Sequence, residues 1–247
     1  MQDYQPAPDL LSGRIILVTG AGDGIGRAVA LACAEHGATL VLLGRTKSKL
    51  EAVYDRIVAA GGERPAMHPF DFERTDWDDY LKTAAAIESE YGRLDGLLHN
   101  AGILGDMSPI EHYDVRVWQR VLHVNLTSAF ALTRACLPAL KHSADASMLF
   151  TSSGVGRQGR AYWGAYAVSK FGVEGLTEVL ADETEENTNI RVNSINPGRT
   201  RTAMRRAAYP LEDASRLPRP EDIVGPYLYL FGPDSRGTTG QRFDCQP

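Results

Sequence analysis

The chain has 247 residues, of which 43% are hydrophobic and 23% are charged, a composition typical of a soluble globular protein. Its formal net charge of −5 gives no electrostatic reason to expect nucleic acid or an anionic membrane as a partner. The three cysteines lie far apart, without a CxxC motif or a histidine at ligand spacing, so we expect reduced thiols and no metal site.

The beginning of the chain is polar and contains prolines. Residues 1–13 lack the basic and apolar stretches of a signal peptide, and residues 1–12 are interpreted as an N-terminal extension. No uncharged apolar run approaches the roughly 20 residues that a membrane helix needs. These features predict a cytoplasmic protein without a membrane partner.

Short apolar runs alternate with longer amphipathic segments along the chain, which predicts alternating strands and helices. Strands are predicted, in chain order, at residues 14–19, 39–43, 66–70, 97–99, 147–151, 190–195 and 241–243. Helices are predicted at residues 24–36, 47–60, 77–91, 115–140, 162–186 and 221–230. A polar, arginine-rich loop is expected between the sixth strand and residue 220.

This alternation indicates an α/β fold of three layers, α/β/α. We expect a Rossmann-like, doubly wound parallel sheet of about seven strands in one domain, residues 1–247. The sequence has no internal repeat, low-complexity linker or composition break that would mark a domain boundary. In such sheets, ligands bind at the carboxyl ends of the strands near the topological switch point, and the motifs of this chain follow predicted strands.

Tyr166 and Lys170 are four residues apart in a predicted helix, so their side chains share one face, one turn apart. An ammonium group there would lower the pKa of the phenol by stabilising the phenolate. Such a tyrosine can exchange a proton with an alcohol or an alkoxide near neutral pH. Together with Ser153 and Asn125 upstream, the pair indicates an oxidoreductase.

A glycine-rich loop follows the first predicted strand and opens the first helix. Gly20, Gly24 and Gly26 are spaced Gly-x3-Gly-x-Gly, which differs from the common GxGxxG fingerprint. Glycines allow the backbone to approach a pyrophosphate closely, and a helix N-terminus offers it N–H groups. The loop therefore predicts a dinucleotide site, although tight turns also use glycine for conformational reasons alone.

Arg45 follows the second predicted strand, where NAD-binding proteins have an acidic residue for the ribose 2′-hydroxyl. An arginine there accommodates the 2′-phosphate of NADP through paired hydrogen bonds. Asp23 in the glycine-rich loop counts mildly against NADP, because its carboxylate would repel that phosphate. We predict a preference for NADP(H), with NAD(H) as the alternative; a solvated surface arginine is the simpler interpretation.

The order and spacing of these motifs resemble those of the short-chain dehydrogenases/reductases, from residue 14 to about residue 243. The motifs are Thr19-Gly20-x3-Gly24-Ile25-Gly26, His99-Asn100-Ala101-Gly102, Asn125, Ser153, Tyr166-x3-Lys170 and Pro197-Gly198. Residues 155–160 and 196–202 add a likeness to a bacterial subgroup of oxidoreductases with unassigned substrate.

The resemblance implies four catalytic residues. Tyr166 would be the general acid in reduction and the base in oxidation, and Lys170 would lower the pKa of Tyr166 and bond the nicotinamide ribose. Ser153 would hydrogen-bond the substrate carbonyl oxygen. Asn125 would hold a water molecule that links Lys170 to solvent.

The resemblance also implies cofactor contacts. Asp71 would bond the adenine amino group, Asn100 and its two successors would brace the sheet beside the adenosine, and the loop from Pro197 would hold the nicotinamide carboxamide. The full expected set is Gly20, Asp23, Gly24, Ile25, Gly26, Arg45, Asp71, Asn100, Ala101, Gly102, Tyr166, Lys170, Pro197, Gly198, Thr200 and Thr202.

We therefore expect an NADP(H)-dependent oxidoreductase that acts on a small carbonyl or alcohol compound. The alternatives are a reductase of 3-oxoacyl thioesters and a non-catalytic NADP(H)-binding sensor, although such sensors usually lack one of the four catalytic residues. By resemblance, the helices at 115–140 and 162–186 would pack against a second subunit in a homodimer or homotetramer.

Arginines flank both loops that should border the substrate entrance: Arg157, Arg160, Arg199, Arg201, Arg205 and Arg206. Their convergence predicts a substrate with an anionic group remote from the carbonyl. The simpler interpretation is pairing with local acids such as Glu212 and Asp213, or contact with a second subunit. Trp163 and Met204 line the pocket or pack in the core, and His99 is expected to be structural.

Overall fold

A computed structural model describes residues 4–246 of the chain. The first three residues of the expected N-terminal extension lie outside the described residues. The strands are β1 (Ile15–Thr19), β2 (Thr39–Gly44), β3 (Ala66–Pro69), β4 (Gly96–His99), β5 (Ala146–Thr151), β6 (Ile190–Asn196) and β7 (Arg242–Asp244). The α-helices are α1 (Gly24–Glu35), α2 (Lys47–Ala59), α3 (Trp77–Tyr91), α4 (Val115–Leu122), α5 (Ser128–Lys141), α6 (Gly164–Glu185), α7 (Ala203–Ala208) and α8 (Gly225–Phe231).

The strands form one parallel sheet in the order β3-β2-β1-β4-β5-β6-β7. The chain winds outward from β1 to β3 and then crosses back to β4, which pairs with β1 on its other side. The switch point therefore lies between β1 and β4, and the expected Rossmann-like doubly wound sheet is confirmed.

The central strands are apolar on both faces because helices cover both sides of the sheet. In β1, Ile15 and Leu17 pack in the core that faces α3, α5 and α6. Ile16 and Val18 point to the other face and pack with α1, α2 and α8. This arrangement explains the continuous apolar run that predicted β1 in the sequence.

Three predicted helices differ from the structure. The helix expected at 115–140 is interrupted by a π-turn at His123–Thr127, and α6 begins at Gly164 because Tyr162 has a left-handed backbone, with φ of 72°. The helix expected at 221–230 is a 3₁₀ turn followed by α8. The segment expected to be only loop contains the short helix α7.

None of the helices within residues 4–246 combines the length and the hydrophobicity that crossing a membrane requires.

Charged residues tie the strands together at the amino ends of the sheet, opposite the motif-bearing edge. Asp145 precedes β5, and its carboxylate accepts hydrogen bonds from Arg14 before β1 (3.1 Å) and from Arg191 in β6 (3.0 Å). Burial alone would raise the pKa of Asp145, but the guanidinium groups of Arg191 and Arg14 hold it below its ordinary value.

Because its pKa is lower in the folded protein, Asp145 stabilises the fold above its unfolded pKa, and this contribution is lost as the pH falls through the folded pKa. We expect Asp145→Asn to lower the free energy of unfolding at pH 7 by about 3 kcal/mol, since Arg191 then lies buried without a carboxylate. Urea denaturation at pH 7 and at acidic pH measures this loss, which should shrink in acid. The exposed Asp55→Asn on α2 is the control, and an equal loss in both variants would contradict this role of Asp145.

Candidate active site

The predicted site residues meet in one cleft of about 510 Å³ at the carboxyl ends of the strands. The expected residues that line it are Gly20, Asp23, Gly24, Ile25, Arg45, Asp71, Asn100, Ala101, Gly102, Ser153, Tyr166, Lys170, Pro197, Gly198, Thr200 and Thr202. Two predicted residues, Gly26 and Asn125, are not among its lining residues. Residues that are distant in sequence are thus brought together by the parallel direction of the strands.

Gly26 of the glycine-rich loop is packed so tightly that no larger residue fits there. A Cβ on Gly26 would lie 2.3 Å from the carbonyl oxygen of Gly20 and 2.6 Å from Nδ2 of Asn100. Asp23 caps α1 by accepting a hydrogen bond from the N–H of Gly24 at 2.7 Å. Gly20, Gly22 and Gly24 bring the backbone of the loop and the start of α1 to the cleft, which fits a dinucleotide pyrophosphate.

Lys49, which the sequence reasoning missed, changes the electrostatics beside this loop. Its Nζ donates a hydrogen bond to Oδ2 of Asp23 at 2.5 Å, and this contact lowers the pKa of Asp23. The carboxylate that counted against NADP is therefore paired. Arg45 lines the same end of the cleft, is largely exposed, and lies 3.7 Å from a carboxylate oxygen of Glu73. The only sequence signal for the role of Lys49 was a basic residue near the start of α2.

The tips of β1 and β4 are joined by the side chain of Thr19. Its Oγ1 accepts hydrogen bonds from the N–H groups of Asn100 and Ala101, each at 2.9 Å, and donates to the carbonyl oxygen of Leu98 at 3.1 Å. Asn100 Nδ2 donates back to the carbonyl oxygen of Thr19 at 3.2 Å. These bonds fix the backbone at the switch point.

Tyr166 and Lys170 lie on one face of α6, and Ser153 follows β5. The Tyr166 side chain is buried, and burial raises the pKa of Tyr166 to about 12, while a hydrogen bond with Ser153 opposes that rise. The sequence predicted a lowered pKa for Tyr166, and this prediction is wrong. Lys170 Nζ lies 5.7 Å from the centre of the Tyr166 ring and donates to the carbonyl oxygen of Thr151 at 2.6 Å.

Burial also lowers the pKa of Lys170 to about 8, against the opposing charge of Glu174. Nearby His99 is expected to be structural, and its geometry agrees. Its ring stacks on Phe150 at 4.5 Å, and its Nε2 lies 2.8 Å from Oγ1 of Thr133. Burial, with a smaller effect of Lys170, lowers the pKa of His99 to about 3, so the imidazole is neutral at physiological pH.

Asn125 lies in the π-turn and holds the loop that follows β4. Its Oδ1 accepts from the N–H of Ile103 at 2.8 Å, and its Nδ2 donates to the Ile103 carbonyl oxygen at 2.9 Å and to Ser169 Oγ at 3.0 Å. Asn125 and Lys170 line a common small internal cavity. Asn125 does not line the cleft itself but fixes the backbone of Ile103, which does.

Glu174 is a second residue that the sequence reasoning missed. It lies one turn after Lys170, and its carboxylate accepts hydrogen bonds from Ser152 Oγ at 2.5 Å and from Ser194 Oγ at 2.6 Å. Arg157 and Arg242 each place Nε 3.4 Å from it. Its spacing of four from Lys170, on the face that carries Tyr166, is a signal that could have identified it.

The end of the chain supports the loop after β6. Gln246 Nε2 donates to the carbonyl oxygen of Pro197 at 2.7 Å and lies 3.3 Å from Oγ1 of Thr200. Thr202 caps α7 by accepting from the N–H of Arg205 at 3.1 Å. The expected nicotinamide loop is therefore fixed by the residues that follow β7.

Comparison with known proteins gives consistent findings. A family model described as short chain dehydrogenase matches residues 14–212. The uncharacterized oxidoreductase YciK of Escherichia coli K12 is 52% identical over 244 residues, which are 99% of this chain and 96% of that protein.

Two solved structures are close to this one. A short chain dehydrogenase from Pseudomonas syringae is 55% identical in sequence, and its structure matches with a TM-score of 0.98 over 99% of each chain. A short chain dehydrogenase from Escherichia coli CFT073, complexed with NADPH, is 52% identical with a TM-score of 0.95, and the match covers 98% of this chain and 100% of that one.

The charge of Glu174 favours the protonated form of Lys170, so its removal should lower the pKa of Lys170 below about 8. We expect Glu174→Gln to move the NMR titration midpoint of the Lys170 side chain to lower pH. Glu183→Gln, further along α6 and exposed, removes an equal charge outside this network and should leave the midpoint in place. An unchanged midpoint in Glu174→Gln would show that the carboxylate does not act on Lys170.

Proposed function

The chain belongs to the short-chain dehydrogenase family, and from that premise we propose that it is an NADP(H)-dependent oxidoreductase. It transfers a hydride between the nicotinamide and a carbonyl or alcohol group of a small molecule. The observation that carries this proposal is the single cleft in which the glycine-rich loop meets Ser153, Tyr166 and Lys170.

The residues of the cleft suit the parts of the cofactor. The loop that contains Gly20 and the start of α1 would hold the pyrophosphate, and Asp71 would bond the adenine. Pro197 and the residues that follow it would hold the carboxamide, and Lys170 the ribose. The NADPH complex of the 52% identical relative supports NADP(H) as the cofactor of this cleft.

When bound, the cofactor supplies the hydride, and the protein supplies the proton and the orientation. Ser153 Oγ donates a hydrogen bond to the substrate oxygen and stabilises the negative charge that develops there. Tyr166 Oη donates its proton to the same oxygen. A phenol with a pKa of about 12 is protonated at neutral pH, which favours reduction. Oxidation requires the phenolate as base and is favoured at alkaline pH.

Lys170 and Asn125 complete the proposed proton path. With a pKa of about 8, Lys170 can release and regain a proton near physiological pH, which suits a group that re-protonates Tyr166. Asn125 is proposed to hold a water molecule beside the small cavity that it shares with Lys170.

We further propose a cytoplasmic homodimer or homotetramer, in which α5 and α6 face a second subunit. Phe130 on α5 and Phe171 and Val179 on α6 are about half exposed in the single chain. Aromatic and aliphatic side chains of this size are enriched where protein surfaces meet.

Tyr166→Phe tests the reaction because it removes the transferred proton and keeps the ring. We expect turnover of ketones and aldehydes with NADPH to fall by about a thousandfold, with NADPH affinity retained. Tyr162→Phe is the control, since Tyr162 is exposed and precedes α6. Turnover that survives in Tyr166→Phe would overturn the mechanism. A wild-type protein that binds NADPH but reduces no ketone, aldehyde, diketone or 3-oxo thioester would favour the sensor.

Arg45 and Lys49 are proposed to favour the 2′-phosphate of NADPH, Arg45 by direct contact and Lys49 by neutralising Asp23. We expect Arg45→Ala to weaken NADPH binding about tenfold and to leave NADH binding unchanged. Lys49→Ala should also weaken NADPH selectively, because Asp23 is then unpaired. Fluorescence titration measures both, with the exposed Arg56→Ala at the far end of α2 as control. Equal wild-type affinities for NADPH and NADH would refute the preference.

A further inference from the structure

A second cavity, of about 500 Å³, adjoins the cofactor cleft. Ser153, Trp163 and Arg205 line both spaces. The cavity lies between the loop that follows β5 and the segment around α7. Ser153 is the residue proposed to hold the substrate's carbonyl oxygen, so the remainder of the substrate has this cavity beside it.

Aromatic rings lead from the reacting tyrosine into the cavity. The ring of Trp163 lies 5.7 Å from that of Tyr166 and 5.9 Å from that of Tyr209, measured between centres. The guanidinium of Arg205 covers the Tyr209 ring at 3.7 Å. Trp163 and Tyr209 both line the cavity, so aromatic side chains form part of its wall.

Four of the six arginines near the entrance fall into two groups, which the sequence could not separate. Arg157 is paired with Glu174 and Asp244, and Arg205 donates two hydrogen bonds of 2.6 Å to Glu212. These two are therefore neutralised, as the simpler interpretation expected.

Arg160 and Arg199 differ from the paired arginines. Both line the cavity, and neither has a carboxylate oxygen within 4.0 Å among the residues that the structure describes. Three arginines and one glutamate line this space, which leaves two positive charges there in a chain of net charge −5. A guanidinium fork without a carboxylate suits a carboxylate or phosphate of a ligand.

We propose that this cavity binds the distal part of the substrate, a flat apolar or aromatic segment against Trp163 and Tyr209 that ends in an anion at Arg160 and Arg199. The substrate is then a compact aromatic or alicyclic carbonyl compound that bears a carboxylate or phosphate. This inference rests on the proposed function, because it takes Ser153 as the carbonyl end of the site.

The anion could belong to a compact molecule or to the phosphates of a coenzyme A or carrier-protein thioester. Three probes separate these sources: para-acetylbenzoate, its neutral counterpart para-methylacetophenone, and acetoacetyl-coenzyme A. For the complex with NADPH, kcat/KM is measured for each probe. Calorimetric binding of the two ketones to Tyr166→Phe with NADPH provides a readout that does not need turnover.

We expect the wild type to prefer para-acetylbenzoate to the neutral ketone by about tenfold or more. Arg160→Ala and Arg199→Ala should each reduce this ratio, and the double variant should bring it close to one. Arg206→Ala, on α7 and outside the cavity lining, is the matched control and should retain the ratio. High salt should reduce the wild-type preference, because it screens exposed charges.

Three results would overturn the inference: no preference in the wild type, an equal loss in Arg206→Ala, or arginine variants that affect only acetoacetyl-coenzyme A. If neutral ketones are reduced but the preference is absent, the proposed function stands and the subsite falls. If no probe is turned over but the calorimetric preference depends on Arg160 and Arg199, the subsite stands and the proposed function falls.

Discussion

The parallel direction of the strands is the constraint on which the rest of this protein depends. It places all carboxyl ends at one edge, so the loops after β1, β4, β5 and β6 share one cleft. Four hydrogen bonds of Thr19 with Leu98, Asn100 and Ala101 hold the carboxyl ends of β1 and β4 together. At the amino ends of the strands, Asp145 pairs with Arg14 and Arg191. The positions of the site residues are therefore fixed, because polar contacts hold the strands at both their carboxyl and their amino ends.

Burial sets the proton chemistry of the site more strongly than any single charge. It raises the pKa of Tyr166 and lowers those of Lys170 and His99, so each of the three groups is shifted toward its neutral form. Glu174 lies in the same interior but is surrounded by two hydroxyl and two guanidinium groups. Its charge acts on Lys170 through a medium that screens poorly, which is why one buried carboxylate matters to a residue one turn away.

The two halves of the site are built in different ways. The proposed cofactor half is built largely of backbone, glycines and short side chains, with Arg45 and Lys49 at one end, and Gly26 has no room for a Cβ. The proposed substrate half consists of long side chains from the loop between β5 and α6 and from the segment around α7, such as Trp163, Arg160 and Arg199. Substitutions in the second half can change substrate recognition and leave the cofactor half intact, because the two are carried by different segments.

The sequence by itself determined the fold class, the succession of strands and helices along the chain, and most of the residues of the cleft. It could do so because apolar periodicity, glycine spacing and the Tyr166–Lys170 spacing are local patterns. Only the tertiary structure decided which charges are paired. It showed that Asp23 is bonded to Lys49 and that Glu174 is bonded to Ser152. It also showed that Arg205 is paired with Glu212, whereas Arg160 has no carboxylate partner among the described residues. It also reversed the expected direction of the Tyr166 pKa. Pairing and burial depend on distances between segments that only folding brings together, and a single sequence does not record those distances.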